Sequence, residues 1–331
     1  MNKILIVGGN PITGKHSKIA ELLGKELDAC VVNGAISRVE KRDLIIWMPD
    51  FSNDEDKIYP KKDQGAVLIC SKVMREGYTH VDSVSRIFKM GGNAVIEIYP
   101  VYDGMVKRFE FQLVDALGNT WGDRSESLTK LKNSIIDLYL WTKGSVRRSL
   151  TQGPCLTLEP DLDEFYKFIQ INRRLALQCA EGCGNRFFGN YSTRCTKLFP
   201  ASRFGSELFA VSPRNIDKNF VTAQDMVVCD HNTYYSTRKP SIDTPVQLEL
   251  YREFPLVNYM IHGHAYIQGA AWTNDYYPCG DMREIEGIIR VVRGNGSLTT
   301  TAINLKNHGF LILTDTIEEL NRTWKFYPLN P

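Results

Sequence analysis

The chain has 331 residues, of which 43% are hydrophobic and 24% are charged. This composition is typical of a globular protein and excludes a disordered, collagen-like or coiled-coil chain. Lys and Arg number 40 against 38 Asp and Glu, so the formal net charge is +2. Such an even balance gives no electrostatic footprint for nucleic acid or for an anionic membrane surface. The length suggests two domains.

The cysteines indicate a reducing compartment. All eight are scattered along the chain without a C-x2-C pair, which favours free thiols over a disulfide framework or a cysteine zinc site. The apolar run at the N-terminus is too short for a signal sequence, and no apolar run approaches the ~20 residues that cross a bilayer. We therefore expect a cytoplasmic protein with no membrane segment.

In chain order, the first half predicts strands alternating with helices. Strands are predicted at 3–7, 30–32, 43–48 and 66–70, and a strand pair at 94–99 and 108–113 turns around Asp103 and Gly104. Apolar residues at helical spacing predict a helix after the first strand and another after the strand pair; they are Ile19, Leu22, Leu23 and Leu27, then Leu128, Leu131, Ile135 and Leu138. This alternation favours a Rossmann-like, mostly parallel sheet, which we assign to residues 1–150.

A glycine loop follows the first predicted strand. Gly9, Gly14 and Lys15 nearly match a phosphate-binding loop, but His16 stands where that motif needs Ser or Thr. This mismatch argues against an NTPase. Two interpretations remain. The loop and the helix start bind an anion such as a nucleotide phosphate through Gly9, Gly14 and Lys15, or the glycines only permit a tight turn.

Glycines and prolines cluster between residues 145 and 160, which is typical of a linker. We place the second domain at residues 151–331. Asp161 is predicted to cap a long helix, and Pro245 to open a helix that runs to Glu253. Apolar patterns predict strands at 257–264 and at 310–313.

Histidines give the strongest functional signal. His262 and His264 are two residues apart on a predicted strand, so their side chains share a face, with Cα atoms about 6.5–7 Å apart. Gly263 between them lets a neighbour pack closely on the opposite face, and His308 precedes the next strand. Three histidines with an open fourth position are typical of a catalytic zinc site. The alternative is two exposed strand histidines and one turn histidine. Asp243 either caps the following helix or points its carboxylate at the metal.

Together these residues resemble the class II aldolase/adducin family. The order of motifs is G-N-x-S-x-R at Gly189–Arg194, P-S-x-acid at Pro240–Asp243, H-x-H at His262–His264 and N-H-G at Asn307–Gly309. The resemblance covers about residues 161–320. It implies an α/β/α domain on a mostly antiparallel central sheet. It also implies a homotetramer with its sites between subunits.

The resemblance also implies roles for individual residues. His262, His264 and His308 would bind zinc or another divalent metal, and Asp243 would be the acid/base carboxylate. The implied substrate-binding residues are Asn190, Ser192, Ser212, Arg214 and Ser241. The implied reaction is aldol or retro-aldol cleavage of a small sugar phosphate through a metal-stabilised enediolate. The alternatives are an epimerase, a dehydratase or a decarboxylase on the same platform, or a non-enzymatic adducin-like assembly domain.

The sequence also departs from the family pattern. Ile242 replaces a second serine, Asp243 is one methylene shorter than the usual glutamate, and Asn215 replaces a glycine. The first 150 residues have no counterpart in the small aldolases and are only loosely similar to flavoprotein or pantothenate-metabolism domains. The loop at 276–280 either lines the pocket or packs on the core, and we favour core packing.

Overall fold

A computed structural model describes residues 4–9, 17–32, 42–49, 66–156, 163–180, 189–195, 207–214, 216–296 and 300–329. The chain divides into two compact units, Met1–Gly144 and Ser145–Pro331. The sequence analysis places this boundary slightly later, at residue 150. Within the ranges given above, no helix is both long and apolar enough to cross a membrane.

The described part of the first unit is built on one sheet with the strand order β2-β1-β3-β4-β5-β6-β7. Its strands are β1 (Ile4–Gly9), β2 (Cys30–Val32), β3 (Leu44–Pro49), β4 (Val67–Val73), β5 (Ala94–Asp103), β6 (Val106–Asp115) and β7 (Thr120–Ser125). β1 to β5 pair in parallel, whereas β6 pairs antiparallel with β5 and β7. The predicted strand pair is thus confirmed as the hairpin of β5 and β6.

The helices of this unit are α1 (Lys18–Leu27), α2 (His80–Met90) and α3 (Leu128–Lys143). On α1, the predicted apolar residues are buried except Leu22, which is 41% exposed because it lies outside the stripe that faces the sheet. A Cβ on Gly8 would lie 2.2 Å from the Cβ of Ala20, so the approach of α1 to β1 requires a glycine there. Gly9 ends β1, while Gly14 and Lys15 lie outside the described residues.

The second unit contains a sheet whose described strands run in the order β15-β16-β17-β13-β9-β10-β11-β12-β8. These are β8 (Thr151–Gln152), β9 (Asn190–Arg194), β10 (Phe209–Val211), β11 (Val227–Cys229), β12 (Thr233–Tyr234), β13 (Tyr259–Gly263), β15 (Ala271–Trp272), β16 (Thr300–Leu305) and β17 (Gly309–Thr314). β14 (Ala265–Ile267) pairs separately with β18 (Phe326–Pro328). Neighbours in the large sheet are antiparallel except β15 with β16 and β12 with β8. The expected mostly antiparallel sheet is confirmed.

Helices cover both faces of this sheet. They are α4 (Asp163–Ala180), α5 (Thr244–Glu253), α6 (Glu284–Gly294) and the short α7 (Ile317–Leu320). Ile261 of β13 packs in one apolar cluster with Phe168 of α4. Its neighbour Met260 packs in another with Leu250 of α5 and Ile288 of α6. Because successive strand residues point to opposite faces, the unit has the expected α/β/α layers. Asp161, the predicted cap of α4, lies outside the described residues.

Candidate metal centre

The histidines lie at one end of a group of three neighbouring antiparallel strands. β13 lies between β9 and β17, and His262 is paired with Asn190 on one side and Leu311 on the other. In an antiparallel sheet, the end of one strand lies beside the starts of its neighbours. The three histidines therefore meet at the same end of these strands. His262 lies near the end of β13, His264 directly after it and His308 directly before β17.

One ligand atom from each of these three histidines lies within 4.8 Å of the other two, and all three residues are buried. The ring centroids are 5.1 Å apart for His262 and His264, 4.8 Å for His262 and His308, and 5.5 Å for His264 and His308. The strand β13 ends at Gly263, so His264 lies in the bend that follows it. The prediction that both histidines lie within the strand is therefore wrong for His264. The ring of Phe310 occupies the space beside Gly263, 2.5 Å from where a Cβ would stand.

Hydrogen bonds fix two of the three rings. Nδ1 of His262 is 2.8 Å from the carbonyl oxygen of Phe310, and Nδ1 of His308 is 2.7 Å from Oε1 of Glu284. The Nε2 atoms of His262 and His308 are buried and have no hydrogen-bond partner. A buried imidazole nitrogen without a hydrogen-bond partner lowers the stability of the fold unless an ion or a water molecule binds to it. The donor set therefore fits a divalent metal ion with its ligands held by second-shell partners.

Burial sets the protonation of these rings. Burial, with the charge of His308 nearby, lowers the pKa of His262 to about 4, and burial lowers the pKa of His264 well below its usual value. Both rings are therefore neutral at neutral pH, which is the form that ligates a metal. Burial also acts to lower the pKa of His308, but the interactions with Glu284 and Cys279 together outweigh it and raise that pKa.

Asp243 occupies the N-cap position of α5, yet its side chain makes no capping hydrogen bond. Its Oδ2 instead accepts hydrogen bonds from Nδ2 of Asn190 at 3.0 Å and from Oγ of Ser241 at 3.4 Å. Its Oδ1 is buried and has no hydrogen-bond partner. A carboxylate oxygen of Asp243 lies within 4.8 Å of ligand atoms of His308 and Cys279. Of the two alternatives, the carboxylate thus faces the histidines and does not cap the helix.

Sequence reasoning missed three residues of this centre. Cys279 lies beside His308 and Asp243, so the preference for core packing of the loop at 276–280 is wrong for this residue. Glu284, the first residue of α6, is 4% exposed and holds His308. Lys218 is the third. An acidic residue at a helix start and a lysine in a loop are ordinary features, so only the position of Cys279 after the H-x-H strand gave a signal.

Lys218 is a buried cation near the carboxylate. It is 5% exposed, and its Nζ donates to the carbonyl oxygens of Pro213 at 3.3 Å and Ile216 at 3.0 Å. Burial lowers its pKa to about 8, although the charges of Asp217 and Asp243 act in the opposite direction. The site therefore contains a buried amino group whose charged form interacts with Asp243.

The other predicted substrate-binding residues divide into two groups. Arg214 is exposed, donates from Nε to the carbonyl oxygen of Pro240 at 3.2 Å and interacts electrostatically with Asp243. The hydroxyls of Ser192 and Ser212 are fully buried in other contacts. Ser192 is hydrogen-bonded to the Tyr251 hydroxyl at 3.1 Å, and Ser212 accepts from a backbone N–H in the sheet at 3.2 Å. The structure thus groups Asn190, Ser241 and Arg214 around Asp243, whereas these two serines bond within the core.

Residues 167–323 match the family described as Class II Aldolase and Adducin N-terminal domain. An L-fuculose phosphate aldolase of Methanococcus maripaludis is 22% identical over 134 residues, which cover 34% of this chain and 70% of that protein.

Solved structures of similar proteins include an L-fuculose 1-phosphate aldolase. It is 19% identical with a TM-score of 0.35, and the match covers 48% of this chain and 82% of that one. An aldolase II superfamily protein from Pseudomonas syringae is 14% identical with a TM-score of 0.36, covering 48% of this chain and 70% of that one.

Proposed function

We propose that the C-terminal half of this chain, in which residues 167–323 match the class II aldolase and adducin family, is a metal-dependent lyase for a small sugar phosphate or a related carbonyl compound. The observation that carries this proposal is the buried set of three histidines with a carboxylate beside it. A purely structural assembly domain has no use for buried imidazole nitrogens that lack hydrogen-bond partners, such as Nε2 of His262 and of His308.

His262, His264 and His308 would hold the ion, which is zinc or another divalent metal. When bound, such an ion acts as a Lewis acid that polarises the carbonyl group of the substrate. Glu284 and the carbonyl oxygen of Phe310 keep the Nδ1 atoms of His308 and His262 occupied. This leaves the Nε2 atoms of both rings for the metal and fixes the ring orientation before any ligand arrives.

Asp243 is the proposed proton carrier. The side chains of Asn190 and Ser241 hold Oδ2, so Oδ1 is the oxygen that can accept a substrate proton and return it. Positioned proton transfer of this kind contributes about 10²–10⁴-fold to a rate. Lys218 and Arg214 supply positive charge near this carboxylate, which supports recognition of an anionic group such as a phosphate.

For the first unit we propose a doubly wound, Rossmann-like domain. Its parallel strands run in the order β2-β1-β3-β4-β5, which is the order of one common class of doubly wound folds. Binding of a nucleotide or another anion by the loop of Gly9, Gly14 and Lys15 stays a prediction from the sequence.

The test begins with metal content. Purified full-length protein should contain about one divalent ion per chain, and His262→Ala should lose both the ion and activity while the circular dichroism spectrum is unchanged. His231→Gln is the matched control, because His231 packs edge-on against Phe209 in another part of the unit. The loaded protein is then incubated with ketose phosphates, and carbonyl fragments, epimers and loss of water or CO₂ are measured. Full metal retention by His262→Ala would refute the proposed centre.

A further inference from the structure

We propose that Cys279 supplies a sulfur ligand to the metal centre of His262, His264 and His308. A sulfur ligand makes this centre selective for thiophilic divalent ions. This inference rests on the metal centre of the proposed function and assigns to it a fourth donor. Neither the motif order nor the three histidines alone identify this residue.

The first support is the position of the thiol. Sγ of Cys279 lies within 4.8 Å of a ligand atom of His308 and of a carboxylate oxygen of Asp243. His308 is 1% exposed, and its Nε2 is buried without a hydrogen-bond partner. A soft donor and an imidazole nitrogen without a partner thus lie together, and His308 belongs to both groups of candidate ligands.

The second support is the rigidity of the loop that carries the thiol. Gly280 has φ +76°, and a Cβ there would lie 2.7 Å from the carbonyl oxygen of Ile242, the residue before Asp243. The backbone N–H of Asp281 donates to the carbonyl oxygen of Pro278 at 3.0 Å, and the Asp281 carboxylate pairs with Arg283. Close packing on one side and a closed turn on the other therefore hold Cys279 against the centre.

The division of roles between thiol and carboxylate follows from their partners. Oδ2 of Asp243 already accepts hydrogen bonds from Asn190 and Ser241. If Cys279 takes the metal, Asp243 remains available for proton transfer. On binding, the thiol proton of Cys279 passes to solvent and a sulfur lone pair forms the bond to the ion, so no oxidant or reductant is needed. Thiolate ligands favour zinc and cobalt(II), whereas magnesium and manganese prefer oxygen.

Cobalt(II) provides the test, because a cobalt–thiolate bond gives a charge-transfer band in the near ultraviolet that imidazole and carboxylate ligands do not give. The apo form of the full chain is titrated with cobalt(II), in parallel with Cys279→Ser and with Cys155→Ser, which removes an exposed thiol. We expect the band in the parent protein and in Cys155→Ser. Cys279→Ser should lack the band and still bind about one ion. Its zinc affinity in a chelator competition should be at least about tenfold weaker, because loss of a residue that only supports a metal ligand already weakens affinity by about that factor.

The outcomes separate this inference from the proposed function. A cobalt-loaded parent without the band, or a band that persists in Cys279→Ser, overturns the sulfur ligand and leaves the three-histidine centre in place. Failure of the parent chain to bind cobalt(II), or binding that His262→Ala does not reduce, overturns the proposed metal centre as well. Cys279→Ala repeats the measurement if the serine variant has an altered circular dichroism spectrum.

Discussion

Arg194 connects β9 to the C-terminal end of α5, and its replacement tests how the site's framework is held. Nε donates to the carbonyl oxygen of Val257 at 2.6 Å, and Nη2 donates to those of Tyr251 and Phe254 at 2.5 and 3.3 Å. Nη1 pairs with Glu207, and the Arg194 side chain is 7% exposed. We predict that Arg194→Lys destabilises the second unit without removing its metal ligands.

The magnitude follows from the carbonyl groups that lysine leaves without a donor. One ammonium group cannot span the three acceptors that the planar guanidinium reaches. The carbonyl oxygen of Phe254 also accepts from the backbone N–H of Val257, so lysine leaves one buried carbonyl group, that of Val257 or that of Tyr251, without a donor, at about 1–3 kcal/mol. We therefore expect the free energy of unfolding to fall by about 2 kcal/mol, which corresponds to a fall in Tm of about 4–8 °C for a unit of this size.

Differential scanning calorimetry measures this change on the full chain. The matched control is Arg252→Lys, because Arg252 forms an exposed ion pair with Glu249 on α5, and such a pair contributes at most about 1 kcal/mol. Metal content, measured well below the transition, should equal that of the parent protein in both variants. A Tm for Arg194→Lys that matches the Arg252→Lys control would refute the reasoning.

Two further predictions concern the carboxylate of the second unit and a buried pair of the first. Asp243→Asn should keep the bound metal, since an amide oxygen can still accept from Asn190, but should lower turnover by about 10²–10⁴-fold because the proton acceptor is lost; turnover equal to the parent's would assign that role to another residue. In the first unit, the fully buried Glu97 lies 2.8 Å from Nδ1 of the half-exposed His80. The hydrogen bond with Glu97 raises the pKa of His80, so this pair stabilises the fold below pH 6.5, the usual His value, and that contribution is lost as the pH rises through the raised pKa. Replacement of His80 by Gln should therefore flatten the dependence of stability on pH in this window, as measured by urea unfolding between pH 5 and 9, and an unchanged slope would contradict it.

The pattern of apolar residues is sufficient to predict much of the second unit. The strands β13 and β17 and the helix α5 lie within one or two residues of their predicted bounds. Local pattern suffices here because each element buries one face on the same sheet. The spacing of His262 and His264, together with the family resemblance, also predicted that His308 joins them, and the structure brings the three together because β13 and β17 are neighbouring strands.

Tertiary packing, in contrast, sets which other residues join the histidines. Glu284 and Lys218 carry no local signature, and Cys279 has only its position after the H-x-H strand. These residues reach the site through turns and a helix start that pack beside the histidines. The same packing directs the hydroxyls of Ser192 and Ser212 into the core. A sequence motif specifies the residue types at its positions, but the direction of each side chain depends on long-range contacts, which the motif does not contain.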